Sequence, residues 1–225
     1  MRVDVERGSA VRALDQRFPP GRRTQQERRA QSEDALLDSA AKLFARNGVD
    51  QTSLAEIGEA AGYSRGLVNH RFGSKAALVE QLAQRVQSDF VSGLTNVDGD
   101  EISALVTVVD SYLSALSQAD DAARAFFVMW GAALPSDAPL RPIFAVDDAR
   151  FRDAVRDLLA AAQRRKTINS GVNPAGAAAA LVGMLRGISA QFLVNPDGVD
   201  LSAAQSTVEQ FIRSFSREPQ PRRKR

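Results

Sequence analysis

The stretch "TSLAEIGEAAGYSRGLVNHRFGSK", residues 52–75, holds two short helical signals separated by a tight turn. Ser53 and Glu56 form a capping box, in which each side chain satisfies a backbone N–H at the helix start. Leu54, Ile57 and Ala61 fall on one face, and Gly62 ends the helix. Ser64 caps a second helix predicted over 65–72, with Val68 and Phe72 on one side. Ser74 opens a longer one over about 75–93, with Leu78, Val79, Leu82 and Val86 inward. Two short helices joined by "AGYS" form the helix-turn-helix pattern.

Working outward, "SEDALLDSAAKLFARNG" (32–48) places Leu36, Ala40, Leu43 and Phe44 on one stripe, with Ser32 as the expected cap and Asn47-Gly48 as the stop. Leu43 and Phe44 are expected to receive the clamp made by Leu54, Ile57, Val68 and Phe72. The helix over 65–72 then turns Arg65, Gly66, Leu67, Asn69, His70 and Arg71 outward. That surface donates hydrogen bonds to phosphates and base edges, and no carboxylate lies between Glu59 and Glu80.

His70 is the single histidine of the chain. A catalytic histidine needs a nucleophile or an orienting carboxylate, and its sequence neighbours Asn69 and Arg71 are neither. A metal site needs further ligands at suitable spacing, and none is present. The glycines do not form a G-x-x-x-x-G-K-[ST] phosphate loop. No catalytic residue, metal or cofactor is expected, and the chain is not expected to be an enzyme.

Composition agrees with a folded protein of 225 residues, 44% apolar and 25% charged. The absence of cysteine excludes disulfides and thiolate ligands. No apolar run is expected to reach the ~18 residues that span a bilayer, since "NPAGAAAALVGML" (173–185) stops at Arg186. The first thirty residues have no secretory pattern, so a cytoplasmic protein away from membranes is expected. Residues 1–30 carry eight arginines against four acids, and the chain ends in "PRRKR", so both ends are basic. Such ends suit a polyanion such as nucleic acid or are solvated tails.

Beyond the turn-rich "TNVDGD" (95–100), helices are predicted at about 101–117, 121–134, 139–164, 174–194 and 201–216. The fold class is all-α: an N-terminal three-helix helix-turn-helix domain, a linking helix and a C-terminal helical bundle. The expected organisation is a flexible basic arm over 1–30, a helix-turn-helix domain over 31–91, a C-terminal bundle over 95–216, and a basic tail over 217–225.

The run "DALLDSAAKLFARNGVDQTSLAEIGEAAGYSRGLVNHRFGSKAALVEQL", about residues 33–82, resembles the DNA-binding domain of the tetracycline-repressor (TetR) family. The resemblance implies that the helix after the turn enters the major groove of double-stranded operator DNA. By position it carries DNA contacts over to Thr52, the segment Arg65–Arg71 and Lys75; Ser53 and Ser64 join them as helix caps beside the same surface. The chain departs from the family pattern where tyrosine and a later histidine are common, having Asn69 and Arg71 instead. Asn69 suits adenine, and Arg65 or Arg71 suits guanine; a phosphate contact or a solvated side chain is the alternative for each.

After residue 95 the resemblance is one of architecture, and it implies a bundle that dimerises and takes a small effector. A dimer interface is expected from Gly176, Ala180, Gly183 and Gly187 along one face, with Leu201, Val208, Phe211, Ile212 and Phe215 at heptad-like spacing; intramolecular packing is the alternative. Tyr112, Phe126, Phe127, Met129, Trp130, Phe144, Phe151 and Met184 are the expected apolar lining for a hydrophobic effector, or are plain core. Arg186 interrupts an apolar helix, and the sequence leaves open whether it meets an anionic ligand or reaches solvent. The expected function is a homodimeric repressor released by a small molecule. The alternatives are a helical small-molecule enzyme on a retained DNA-binding fold and an effector-independent regulator.

Overall fold

The computed structural model describes residues 24–95, 100–117 and 121–216, with the backbone alone for 89–95. Most of the expected arm, 1–23, and the tail, 217–225, lie outside the described residues. Nine α-helices are found among those described: α1 (Gln25–Asn47), α2 (Leu54–Ala60), α3 (Arg65–Phe72), α4 (Lys75–Thr95), α5 (Glu101–Ser117), α6 (Asp121–Ala132), α7 (Arg141–Arg164), α8 (Pro174–Val194) and α9 (Leu201–Arg213). The all-α expectation holds, and the only extended pairing among the described residues is a single bridge between Ile168 and Ser216.

Helix ends follow local chemistry. Asn173 Oδ1 accepts from the N–H groups of Ala175 and Gly176 at 3.0 and 3.1 Å, with Pro174 in the first turn of α8. Asp200 caps α9 through Ala203 N–H at 3.0 Å. At α5, Asp100 accepts the Ser103 N–H at 2.8 Å, and that bond holds its carboxyl below the ordinary range.

Helix α1 starts seven residues before its expected cap. Thr24 and Glu27 form a capping box, with Glu27 N–H donating to Thr24 Oγ1 at 3.1 Å and Thr24 N–H to Glu27 Oε2 at 2.8 Å. Ser32 therefore lies inside the helix, 4% exposed, and its hydroxyl donates to the Arg29 carbonyl at 2.8 Å. The expected boundary at residue 30 falls within one continuous helix.

Two hydrophobic clusters hold the molecule together. One joins α5, α7, α8 and α9 around Leu105, Val109, Phe151, Leu159, Leu181, Val208 and Ile212. The other joins α1 to α4 through Leu36, Phe44, Ile57, Val68, Leu78 and Leu82, and it continues into Phe126 and Met129 of α6 and Phe144 of α7. Phe126 and Phe144 meet edge to face at 5.5 Å between centroids. The core beneath the helix-turn-helix is thus completed by residues from the C-terminal half.

Helix α8 overturns one expectation. Over 18 residues its mean hydropathy is 1.6, long and apolar enough by composition to cross a membrane, with 33% of that window buried. The alanines and the larger aliphatic residues on both sides of Arg186 produce this, and Arg186 does not end the helix. One face of α8, through Ala178, Leu181, Val182 and Leu185, packs into the first cluster.

Asp147 of α7 is 3% exposed, and its Oδ2 has no hydrogen-bond partner among the described residues. Burial pushes its carboxyl above the ordinary range; Asp148 and Glu80 push the same way, against Arg150 and Arg186. The folded carboxyl therefore keeps its proton to higher pH than the unfolded chain does, and stability falls as pH rises through the window between the two values. Asp147→Asn should melt higher than the parent at neutral pH, with the difference vanishing in acid below the ordinary carboxylate range. Thermal melts between about pH 3 and pH 8 check this; a lower-melting variant at neutral pH contradicts it.

Candidate nucleic-acid interface and adjoining cavity

The turn between α2 and α3 is built by two glycines. Gly62 has φ of 77°, a left-handed conformation that side-chain-bearing residues rarely adopt, and its N–H donates to the Glu59 carbonyl at 3.0 Å. Gly58 sits where the two helices cross. A Cβ there would lie 3.0 Å from both the Tyr63 carbonyl oxygen and Val68 Cγ2, while Tyr63 N–H donates to the Gly58 carbonyl at 2.7 Å. Ser53 and Glu56 make the expected capping box, and Ser64 accepts from Leu67 N–H at 3.3 Å. Val68 and Phe72 are buried, so α3 is anchored on one side only.

The free side of α3 presents Arg65, Gly66, Asn69 and His70, all exposed, with Leu67 half-buried. An open groove of about 480 Å³ between α2, α3 and α4 brings Thr52, Ser53, Arg65 and Lys75 to one place. Within it, two residues have roles that the sequence did not disclose. Thr52 is 1% exposed, and its hydroxyl donates to the Gly48 carbonyl at 2.9 Å. Lys75 Nζ donates to the carbonyls of Val49, Thr52 and Asp50 at 2.8, 2.8 and 3.4 Å. An ammonium has three protons, and these three acceptors account for all of them. Lys75 thus ties the α1–α2 loop to the start of α4.

Arg71 is half-buried. Its Nη2 donates to Ser32 Oγ of α1 at 3.2 Å, and its Nε is buried without a partner among the described residues. It braces α3 against α1, which places it apart from the exposed Arg65, Asn69 and His70. Among the described residues no three His, Asp or Glu side chains converge as metal ligands.

The role of Lys75 is open to direct measurement. Lys75→Ala is expected to lower the melting temperature, since charge-assisted hydrogen bonds contribute about 1.5–3 kcal/mol each when shielded, and less at this partly exposed site. The salt dependence of DNA binding should keep its slope, because no phosphate partner is lost. A slope reduced by about 0.9 with unchanged melting would instead assign the ammonium to a phosphate.

Above this region, a cavity of about 20 Å³ lies between α4, α5, α6 and α8. Three of the eight expected effector residues, Tyr112, Phe126 and Phe127, line it, together with Val86, Gln87, Ala115, Leu116, Ala123 and Arg186. The other five do not. Met129 and Phe144 are packed in the core under the helix-turn-helix, and Phe151 and Met184 pack in the other cluster. Trp130 donates its Nε1–H to Asp148 at 3.0 Å.

Arg186 neither reaches solvent nor stands free for an anion. It is 7% exposed, with Nη2 donating to Asp148 Oδ1 at 2.9 Å, Nη1 donating to Tyr112 Oη at 3.2 Å, and its guanidinium 4.3 Å from the Phe126 ring centroid. Gln87 and Arg186 escaped the aromatic-based expectation because both are polar.

The expected dimer residues divide. Gly176, Ala180 and Gly183 are exposed on α8, with Gly187, Leu201 and Phe211 half-buried. Val208 and Ile212 are fully buried, and Phe215 is 9% exposed, all within the chain's own core. These three are core residues of this chain, because the α9 stripe faces α5 and α8. Val194, at the end of α8, is 87% exposed and belongs to the open face.

Comparison with known proteins places this geometry. Residues 36–82 match the model for bacterial regulatory proteins of the tetR family, and residues 102–217 match that for the BetI-type transcriptional repressor C-terminal region. The HTH-type transcriptional regulator BetI of Vibrio campbellii is 20% identical over 182 residues, covering 79% of this chain and 88% of that one. TtgR of Pseudomonas putida, also an HTH-type transcriptional regulator, is 42% identical over 57 residues, a quarter of each chain. Among solved structures, the SmeT–triclosan complex superposes with a TM-score of 0.75 at 21% identity, covering 86% of this chain and all of that one.

Proposed function

Because the chain belongs to the TetR family of bacterial DNA-binding transcriptional regulators, we propose that it is a homodimeric repressor whose α3 helices read the two halves of a palindromic operator. The observation that carries this is the one-sided anchoring of α3. Val68 and Phe72 hold it from below, and Arg65, Asn69 and His70 stand exposed on a helix that carries no carboxylate of its own. Ser53, Ser64, Gly66 and Leu67 flank that surface as cap and backbone contacts. Thr52, Arg71 and Lys75 act one step behind it, by fixing the loop and helices that carry the contacts. The dimer seam we assign to the small-residue face of α8 and the outer side of α9, and the site of action to the cytoplasm.

Effector release is the second half of the proposal. The adjoining cavity opens onto α4, the helix that leads from the DNA-binding helices into the bundle. That the neighbouring SmeT structure is a complex with triclosan supports a small-molecule effector for this fold. At about 20 Å³ the cavity holds little more than one water. A larger ligand fits only when α4 and its neighbours part, so it binds one conformation far better than the other and shifts the population. No catalytic step is proposed.

The test is binding of the purified chain to the DNA upstream of its own coding region, by gel shift or fluorescence anisotropy. Two half-sites roughly 34–36 Å apart, centre to centre, are expected. Arg65→Ala or Asn69→Ala should relax discrimination at one operator position, costing about 1–3 kcal/mol there. Folded protein with no sequence preference at low salt would overturn the reading.

A further inference from the structure

Two residues of the cavity wall each carry a buried polar atom that the packing leaves unused. Gln87 of α4 and Arg186 of α8 are each 7% exposed, and both line the cavity. Gln87 Nε2 and Arg186 Nε have no hydrogen-bond partner among the described residues. An arginine can only donate, and its other nitrogens are already engaged with Tyr112 and Asp148. A buried donor without an acceptor costs about 1–3 kcal/mol. Both donors belong to residues that line one apolar cavity, so an acceptor oxygen brought in by a ligand meets unpaired donors there.

The charge balance narrows what brings that oxygen. Asp148 lies 2.9 Å from the Arg186 guanidinium and offsets its charge, so the site is close to neutral. A carboxylate ligand would add an uncompensated negative charge to a desolvated pocket. A cation would face the guanidinium, and no carboxylate lines the cavity to meet it. The remaining wall, including Leu116, Phe126 and Phe127, asks for an apolar body.

We infer that the effector is an uncharged, mainly apolar molecule bearing one carbonyl-type oxygen, with that oxygen held between Gln87 and Arg186 and the apolar body against Phe127. This rests on the effector reading above and specifies its chemistry. The oxygen also links a side chain of α4 to one of α8.

The experiment uses four shape-matched probes on the full chain by titration calorimetry: acetophenone, ethylbenzene, benzoate and phenyltrimethylammonium. Acetophenone is expected to bind about tenfold more tightly than ethylbenzene, the worth of one hydrogen bond to a charged donor. Benzoate and the ammonium should bind more weakly than the ketone. Gln87→Leu, which replaces an unpartnered amide by an apolar group and should fold normally, should reduce the ketone preference to roughly threefold. It should leave ethylbenzene binding nearly unchanged. Equal binding of ketone and hydrocarbon, tighter binding of either ion, or binding of none of the four would overturn the inference. Operator binding is measured in parallel. Selective ketone binding without any loss of DNA affinity would leave the ligand class standing and defeat the effector reading. DNA release without ketone selectivity would do the reverse.

Discussion

Replacing Gly58 by valine is expected to reduce operator binding to the level of non-specific DNA, a loss of roughly 10³-fold or more. The Cβ alone would stand 3.0 Å from the Tyr63 carbonyl oxygen and from Val68 Cγ2, and 3.3 Å from the Ser64 carbonyl carbon. Two of these neighbours are backbone, and Val68 is fully buried, so none yields without moving α3. Valine adds two methyls to the same crowded point, at a cost of about 1–3 kcal/mol of overpacking. The greater effect falls on recognition, because α3 carries its donors as a rigid unit. Gly58→Ala separates the two effects. The ~1 kcal/mol helix preference of alanine over glycine offsets the tight contact, so this variant should stay folded and lose less affinity. Anisotropy titrations on specific and random DNA, paired with thermal melts, measure both. Retention of specific binding by the valine variant would show that the α2–α3 crossing is soft.

Arg186→Ala is expected to be the most destabilising single change in the C-terminal half. It removes the guanidinium from Asp148, from the Tyr112 hydroxyl and from the face of Phe126. Asp148 keeps the Trp130 N–H as a partner but loses its counter-charge. Breaking a buried pair from one side costs about 3–5 kcal/mol, and the 20% exposure of the Asp148 side chain places this case at the lower end. For a chain of this size about 3 kcal/mol lowers the melting temperature by roughly 10 °C. Asp148→Asn should cost less, and the double variant should show a coupling well above additivity. Trp130 is the only tryptophan, so its emission reports the same network. Additive effects of the two substitutions would mean that the pair contributes nothing to stability.

Elements whose signals are local were legible in the sequence. The capping box at Ser53 and Glu56, the stop at Gly62 and the span of α3 all appear as expected. The early start of α1 was legible too, since "TQQE" (24–27) is itself a capping box. What sequence could not supply depends on contacts between distant segments. Arg71 meets Ser32 across 39 positions, and Lys75 reaches carbonyls 23 to 26 positions away. The stripe of α9 has the right period for an interface and for a core alike, and periodicity carries no information about which partner the stripe meets. Arg186 was visible as an anomaly, but Asp148, 38 positions away, explains it.

The core beneath the helix-turn-helix draws Phe126, Met129 and Phe144 from beyond the linking helix. That sharing bears on recombination. Exchanging residues 24–95 between family members, to graft one operator specificity onto another effector response, cuts through a single packed layer. A chimera joined after α4 inherits two mismatched halves of that layer and exposes apolar surface where they fail to mesh. A workable crossover carries the inner faces of α6 and early α7 along with the reading head, so the inherited unit is a discontinuous patch of chain.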